Sequence, residues 1–185
     1  MSKISTIMPS YLSKYDGSAS DRSNKFIRAV DSWLNQVYND KELIIISDGC
    51  DRTISLYEKC YYDYPEIKIV KLEKQPTFSG SVREAGIKIA TGDIICYLDT
   101  DDYIQPSHLP NIQSRMYEAE LDWCYFTDFV KISSRITNSR PCTPHSKGLI
   151  GVSNIAHLRS MNASWEGCDG YGHDFDFVQR LKAKS

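Results

Sequence analysis

The sequence has no long hydrophobic run. Nowhere in its 185 residues does an apolar stretch approach the roughly 18 residues that a membrane-crossing helix needs. The opening run, residues 4–8, is too short for a secretory signal and lacks a cleavage site. Neither charge is in excess: 22 Lys and Arg face 24 Asp and Glu, for a net charge of −2. That balance argues against a nucleic-acid binder working through a strongly basic surface. Close cysteine pairs of the zinc type are also missing. Cys50, Cys60, Cys96, Cys124, Cys142 and Cys168 are scattered along the chain and read as reduced, mostly buried small residues. With no signal and no membrane segment, the expected location is the cytoplasm. There are no internal repeats, no low-complexity tract and no interdomain linker. What is present is an ordinary globular composition, 41% hydrophobic and 25% charged, spread over 1–185. That length suits one domain with its own core.

Short apolar runs alternate with helical patterns. Residues 4–8 predict a first strand, stopped by Pro9. Phe26, Ile27, Val30, Trp33, Leu34 and Val37 then recur at helical spacing, with Ser20 or Asp21 to cap the start. The run 42–47 is apolar enough to be buried on both faces, as a parallel strand is. A helix follows through Ile54, Tyr57 and Tyr61, then a strand over 67–72. The next helix spans 79–90, with Val82, Ala85, Gly86 and Ile89 inward, and ends at Thr91-Gly92. A strand over 93–98, a helix over 106–120 on Leu109, Ile112 and Met116, and a strand over 122–132 come next. Residues 133–148, polar and with Pro141 and Pro144, read as a long loop of lid or binding type. A strand over 152–158 and a helix over 175–182 finish the chain. Strand–helix alternation over the first two thirds predicts a mostly parallel sheet covered by helices on both faces.

In such sheets ligands sit beyond the carboxyl ends of the strands. The first strand ends at Pro9-Ser10-Tyr11 and the second at Asp48-Gly49. The third helix opens with Arg83 in its first turns, and the fourth strand runs into Asp99-Thr100-Asp101-Asp102. Carboxylates crowded together repel unless a cation sits among them, and hard cations such as Mg2+ or Mn2+ prefer oxygen ligands. The same residues also read as a solvated acidic turn, with Asp102 complementing the dipole of the following helix. Asp48-Gly49 is common turn chemistry. Arg83 reads as an exposed arginine or as a counter-charge to a diphosphate. Asp174 and Asp176, among aromatics near a helix start, read as helix caps or as a carboxylate placed to accept a proton.

Taken together, these segments resemble the family 2 glycosyltransferases. "STIMPSY" is similar to that family's first strand, and "IIISDGCD" to its "VVDDGSTD" segment. "GSVREAGIKIATGDIICYLDTDD" matches the stretch "A-R-N-x-G-x-x-x-A-x-G-x-x-I-x-F-L-D-x-D-D" without a gap from Arg83 to Asp102. "WEGCDGYGHDFDFVQRL" resembles "G-G-W-D-E-x-x-G-E-D-W-D-L-W-L-R-L". The likeness runs from about Ile4 to Leu181, and its last two segments are the specific ones.

The resemblance implies a GT-A fold: a Rossmann-like three-layer α/β/α sandwich around a mostly parallel sheet. Within one domain, 1–102 would bind the nucleotide-sugar and 103–185 would supply the acceptor side and the base. Asp48 would hydrogen-bond the nucleobase, usually uracil, in a pocket lined by Pro9, Ser10 and Tyr11. Arg83 would lie near the phosphates or ribose, and Asp99 would contact ribose, sugar or metal. Asp101 would ligate Mn2+ or Mg2+ with Asp102 in support, and Asp174 would be the general base. Trp165 and Glu166 would border a sugar. Glu84 stands where the family has Asn, and His173 where it more often has Glu. His173 is expected to touch a donor phosphate, help the metal or orient Asp174. The implied reaction moves a sugar from a nucleotide-sugar, a UDP-sugar first, to a hydroxyl with inversion; the acceptor class (glycan, lipid-linked sugar, protein or small molecule) is open. The chain stops soon after the last motif, so an open acceptor site, a homo-oligomer or a partner subunit is expected. The alternative is a module of the same fold that binds nucleotide-sugar without transferring it. A dehalogenase-type phosphatase carries its Asp-x-Asp on the first strand, and a nucleotidyltransferase a basic glycine-rich loop near its start; neither pattern is met.

Overall fold

The structure is a computed structural model that describes every residue except 1, 77–78, 128, 133–134, 138–141 and 169. Its centre is set by the most apolar runs. Strands β1 (Ile4–Ser10) and β2 (Lys41–Asp48) pair in parallel, from Ile4 opposite Lys41 to Ser10 opposite Ser47. β3 (Ile67–Leu72) extends the sheet beyond β2, and β4 (Ile94–Tyr97) lies on the other side of β1, both parallel. β5 (Trp123–Tyr125) follows, then a separate antiparallel pair, β6 (Val130–Ile132) with β7 (Arg135–Thr137). β8 (Ile155–Leu158) runs antiparallel to both β4 and β5. The six-stranded order is β3-β2-β1-β4-β8-β5.

Alternation along the strands builds two cores. Leu43 and Ile45 face one side of β2, and Ile44 and Ile46 the other, all fully buried. The first side is covered by α1 (Arg22–Leu34), α2 (Asp51–Cys60) and α4 (His108–Glu118), through Phe26, Val30, Trp33, Tyr57, Leu109 and Ile112. The second is covered by α3 (Gly80–Ile89) and α5 (His173–Lys182), through Val82, Phe177, Val178 and Leu181. Each such side chain contributes about 1.5–3 kcal/mol when fully buried. The layers are close enough that a Cβ at Gly86 would stand 2.6 Å from Cγ2 of Ile7, so α3 could not keep its seat with alanine there. This is the three-layer, mostly parallel sandwich expected. Among the described residues no helix is long and apolar enough to cross a membrane.

Several boundaries differ from the sequence reading, each for a physical reason. β1 does not stop at Pro9, which pairs opposite Ile46. The carbonyl of Ile7 accepts the last bond from the β4 side, from Leu98 N–H, and Pro9 shares that edge just past the end of β4, where no donor is needed. Asp21 takes the N-cap position of α1 in a left-handed conformation, but its carboxylate holds the Asn24 side chain at 2.8 Å instead of a backbone N–H. Val37 lies past the end of α1 and is 71% exposed. Ile89 is exposed at the end of α3, while Arg83 takes an inward position at 3% exposure. The single strand predicted over 122–132 is divided between two sheets. Residues 152–154 form a one-turn 3-10 helix before β8. The loop predicted over 133–148 contains β7, and its residues 133–134 and 138–141 lie outside the described residues.

Candidate active site

Strand order reverses between β1 and β4. The chain steps from β1 to β2 to β3 in one direction, then crosses through α3 to place β4 on the far side of β1. The carboxyl ends of β1 and β4 therefore open a crevice, the usual ligand position in sheets of this kind. Asp48, at the end of β2, faces it from one side. Its carboxylate accepts from Lys74 Nζ at 2.6 Å and from the Gln75 backbone N–H at 2.7 Å. Lys74 Nζ also lies 4.9 Å from the centre of the Tyr11 ring. The turn after Asp48 passes so close that a Cβ on Gly49, at φ +64°, would meet the Lys74 backbone at 2.6 Å. The segment after β1 is held from below. Cys50 Sγ accepts from the Leu12 N–H at 3.3 Å, and Arg22 donates to the Tyr11 carbonyl. Burial pushes the Cys50 thiol up, but hydrogen bonds from Ser13, Thr53 and Leu12 bring it down to about 7.

Arg83 is the hub of the crevice. α3 carries it inward, and a buried guanidinium is tolerated only with partners. Nη1 donates to Ser79 Oγ at 2.6 Å and to His173 Nε2 at 2.9 Å, while Nη2 donates to Asp99 Oδ1 at 3.0 Å. Asp174 Oδ1 stands 4.0 Å from Nη1, and the Trp165 ring lies 5.3 Å from the guanidinium carbon. One side chain thus ties the end of β4 to the start of α5. The set is not closed: Arg83 Nε and Asp174 Oδ1 are buried without a hydrogen-bond partner. His173 is lowered by burial, but Asp174, aided by the Gly170 carbonyl, outweighs this and the repulsion of Arg83, so its pKa is raised.

The acidic turn diverges more than its sequence suggests. Asp99 turns to Arg83 and Asp102 accepts from Ser153 Oγ at 2.8 Å, while Asp101 stands exposed, its backbone carbonyl held by Arg28. Among the described residues no three His, Cys, Asp or Glu side chains are grouped as they would be around a metal ion. This donor set suits a cation completed by substrate oxygens, with one or two carboxylates from the protein, and not an all-protein cage.

The structure brings Asp48, Arg83, Asp99, His173 and Asp174 to one crevice, with Tyr11 at its rim. It does not bring Ser10 or Trp165 into it by their side chains. Ser10 is buried and bonded to Thr53 Oγ1 at 3.0 Å. Trp165, 1% exposed, stacks on Phe177 at 3.9 Å and donates to Tyr97 OH at 3.0 Å. Its ring packs in the core beside Arg83; Glu166, on the surface, is 3.4 Å from Lys88. Neither Asp174 nor Asp176 is the N-cap of α5, a position that Gly172 holds, so both lie within its first turn. Glu84, at the Asn position, accepts from the Trp165 N–H at 2.7 Å and fixes that segment against α3. Sequence reasoning missed Lys74, Gln75, Ser79, Arg22 and Arg28. Each sits in an ordinary polar pattern, and its partner's distance along the chain gives no local signal.

A family model, glycosyl transferase family 2, matches residues 5–158. The chondroitin synthase of Pasteurella multocida strain Pm70 is 28% identical over 171 residues, covering 86% of this chain and 18% of that protein. Among solved structures, S. aureus TarS 1-349 in complex with UDP-GlcNAc superposes with a TM-score of 0.75 at 18% identity, over 98% of this chain and 54% of that one. The mannosyltransferase PcManGT from Pyrobaculum calidifontis, in complex with GDP-Man and Mn2+, superposes with a TM-score of 0.66 at 15% identity, over 99% and 52%. The chain therefore spans under a fifth of the length of that synthase and about half of each solved chain.

Proposed function

The chain belongs to glycosyl transferase family 2 and has the GT-A fold, and from that premise we propose that it moves a sugar from a nucleotide-sugar, a UDP-sugar first, to an acceptor hydroxyl. The observation that carries this is the convergence on Arg83, which gathers Asp99, His173 and Asp174 in the crevice where the strand order reverses. The likeness to a chain solved with UDP-GlcNAc supports a UDP-sugar. The likeness to one solved with Mn2+ supports a divalent cation.

In this reading Asp48 and the Pro9–Tyr11 backbone receive the nucleobase, with Lys74 and Gln75 setting the carboxylate's orientation. Arg83 presents positive charge to the diphosphate while Asp99 keeps its guanidinium aligned. Asp174 takes the proton of the acceptor hydroxyl as that oxygen attacks the anomeric carbon from the face opposite the leaving diphosphate, so a single displacement inverts the configuration. Asp101, with Asp99 and Asp102 beside it, would hold Mn2+ or Mg2+, which when bound neutralises the diphosphate leaving group.

Calorimetric titration with UDP, with and without Mn2+, tests the donor site. Metal-dependent binding that Asp101→Ala weakens is the expected result; a folded protein that binds no nucleotide would end the reading. Release of sugar from a panel of UDP-sugars separates transfer from a module that only binds, since a binder saturates and releases nothing.

A further inference from the structure

His173 Nδ1 lies 2.9 Å from the Gly170 carbonyl, which accepts and cannot donate, so Nδ1 carries the hydrogen. In the neutral ring Nε2 is then a lone pair, and it receives Arg83 Nη1–H at 2.9 Å. The same Nε2 is 3.0 Å from Asp174 Oδ1, the carboxylate oxygen left buried without a hydrogen bond. Two groups thus claim one nitrogen. Arg83 can be served only by the neutral ring, and Asp174 only by the imidazolium. Arg83 is able to yield, because Nη1 keeps Ser79 Oγ at 2.6 Å and Nη2 keeps Asp99.

We infer that His173 holds, after attack, the proton that Asp174 takes from the acceptor hydroxyl. The inference rests on the transferase reading and deepens it. As the new bond to the anomeric carbon forms, the bond to the diphosphate breaks and its electron pair leaves with the nucleoside diphosphate. The hydroxyl proton moves to Asp174 and on to Nε2, leaving Asp174 ionised and the ring cationic, its new N–H turning from Arg83 toward Oδ1, 3.0 Å away. Solvent takes the proton before the next turnover. His173 acts through Asp174 and is a positioning residue, not one that touches substrate. Among the described residues, the groups facing its ring include Arg83 from α3, Asp174 from its own helix, the Gly170 carbonyl, and the Trp165 ring at 6.0 Å; Asp99 faces Arg83's other nitrogen. The raised pKa of the ring, driven by Asp174 against burial and Arg83, agrees.

Two measurements test it. The first needs no substrate: long-range proton–nitrogen spectra of protein labelled at histidine nitrogen, followed through pH in wild type and Asp174→Asn. The expected neutral form has its hydrogen on Nδ1, and the ring's midpoint falls in Asp174→Asn. A hydrogen on Nε2, or an unmoved midpoint, overturns the inference. The second follows release of UDP from UDP-GlcNAc, UDP-glucose and UDP-glucuronate, with water as acceptor, against pH. His173→Gln can still accept from Arg83 but cannot be protonated. It is expected to bind UDP as wild type does, to lose about 10-fold or more in kcat, and to lose the wild-type rise of kcat with pH. Wild-type kcat, or a reduced kcat with the same pH rise, overturns the inference while the transferase reading stands. Wild-type protein that releases no UDP from any donor removes the transferase reading and the proton step with it.

Discussion

Glu42 and Arg83 are both charged, both almost wholly buried, and lie at opposite ends of one sheet. Glu42 sits where β2 starts. One of its oxygens accepts from Ser5 Oγ at 2.6 Å, Thr91 N–H at 2.7 Å and Thr91 Oγ1 at 2.8 Å; the other accepts from Lys68 at 2.7 Å and Lys3 at 3.3 Å. Burial pushes its pKa up, but the Lys68, Ser5 and Thr91 bonds prevail and hold it well below the usual carboxylate range. Arg83 sits beyond the ends of β1 and β4, and its network leaves Arg83 Nε and Asp174 Oδ1 unmade. A closed set of bonds around a buried charge fixes strands to one another. An open set leaves free energy to be gained when something else arrives. The first end of the sheet is built to hold; the second is where the proposed donor site lies.

The sharpest way to break this contrast is to remove the proposed base. Asp174→Asn is expected to lose at least about 10³-fold in transfer, ~4 kcal/mol in the barrier, with UDP affinity nearly unchanged. Equal turnover by variant and wild type would end the assignment of Asp174. Removing the closed hub should do the reverse. Glu42→Ala leaves Ser5 Oγ and the Thr91 N–H without their buried acceptor and is expected to cost about 1–3 kcal/mol, read as a lower melting midpoint, with UDP binding intact in the folded protein. A large loss of UDP affinity at full stability would show that the two ends had been assigned the wrong way round.

Asp101→Ala should come next, weakening UDP about 10–100-fold in Mn2+, or ~1.4–2.7 kcal/mol, and not at all in a chelator. An equal loss in both conditions would remove the cation from Asp101. The mildest test is acid. Glu42 is depressed in the folded state, so its stabilisation is complete above its unfolded pKa and falls away as pH drops below it. His157 is buried and its pKa lowered to about 4, so the unfolded chain binds the proton first and stability declines as pH falls from about 6.5 toward 4. Denaturant midpoints should therefore drop steadily below about pH 6.5; a flat profile down to pH 4 would contradict both.

Much of the fold was legible because burial writes itself into residue type. The run through Ile44, Ile45 and Ile46 announced a strand covered on both faces, and Leu109, Ile112 and Met116 announced the inner face of α4. Trp165 shows the limit. Its place beside Glu166 in a family-like segment suggests a sugar contact, yet the Phe177 stack and the Tyr97 bond put the ring in the core. Lys74 was invisible for a related reason: nothing near it in the chain says that its ammonium lies on Asp48. The cap reading of Asp174 failed because Gly172 starts the helix earlier.

The sequence by itself determined the layers, the parallel centre and the chemical kinds at the strand ends, since these follow from side-chain polarity and from spacing along a local backbone. Only the tertiary structure decided who holds whom. It placed Arg83 inward, divided Asp99, Asp101 and Asp102 among different partners, and set one nitrogen of His173 between Arg83 and Asp174. The physical reason is that a hydrogen bond depends on distance and direction to within a few tenths of an ångström. Across a sheet those are fixed by how α3, α5 and β4 pack, which no stretch of the chain specifies alone.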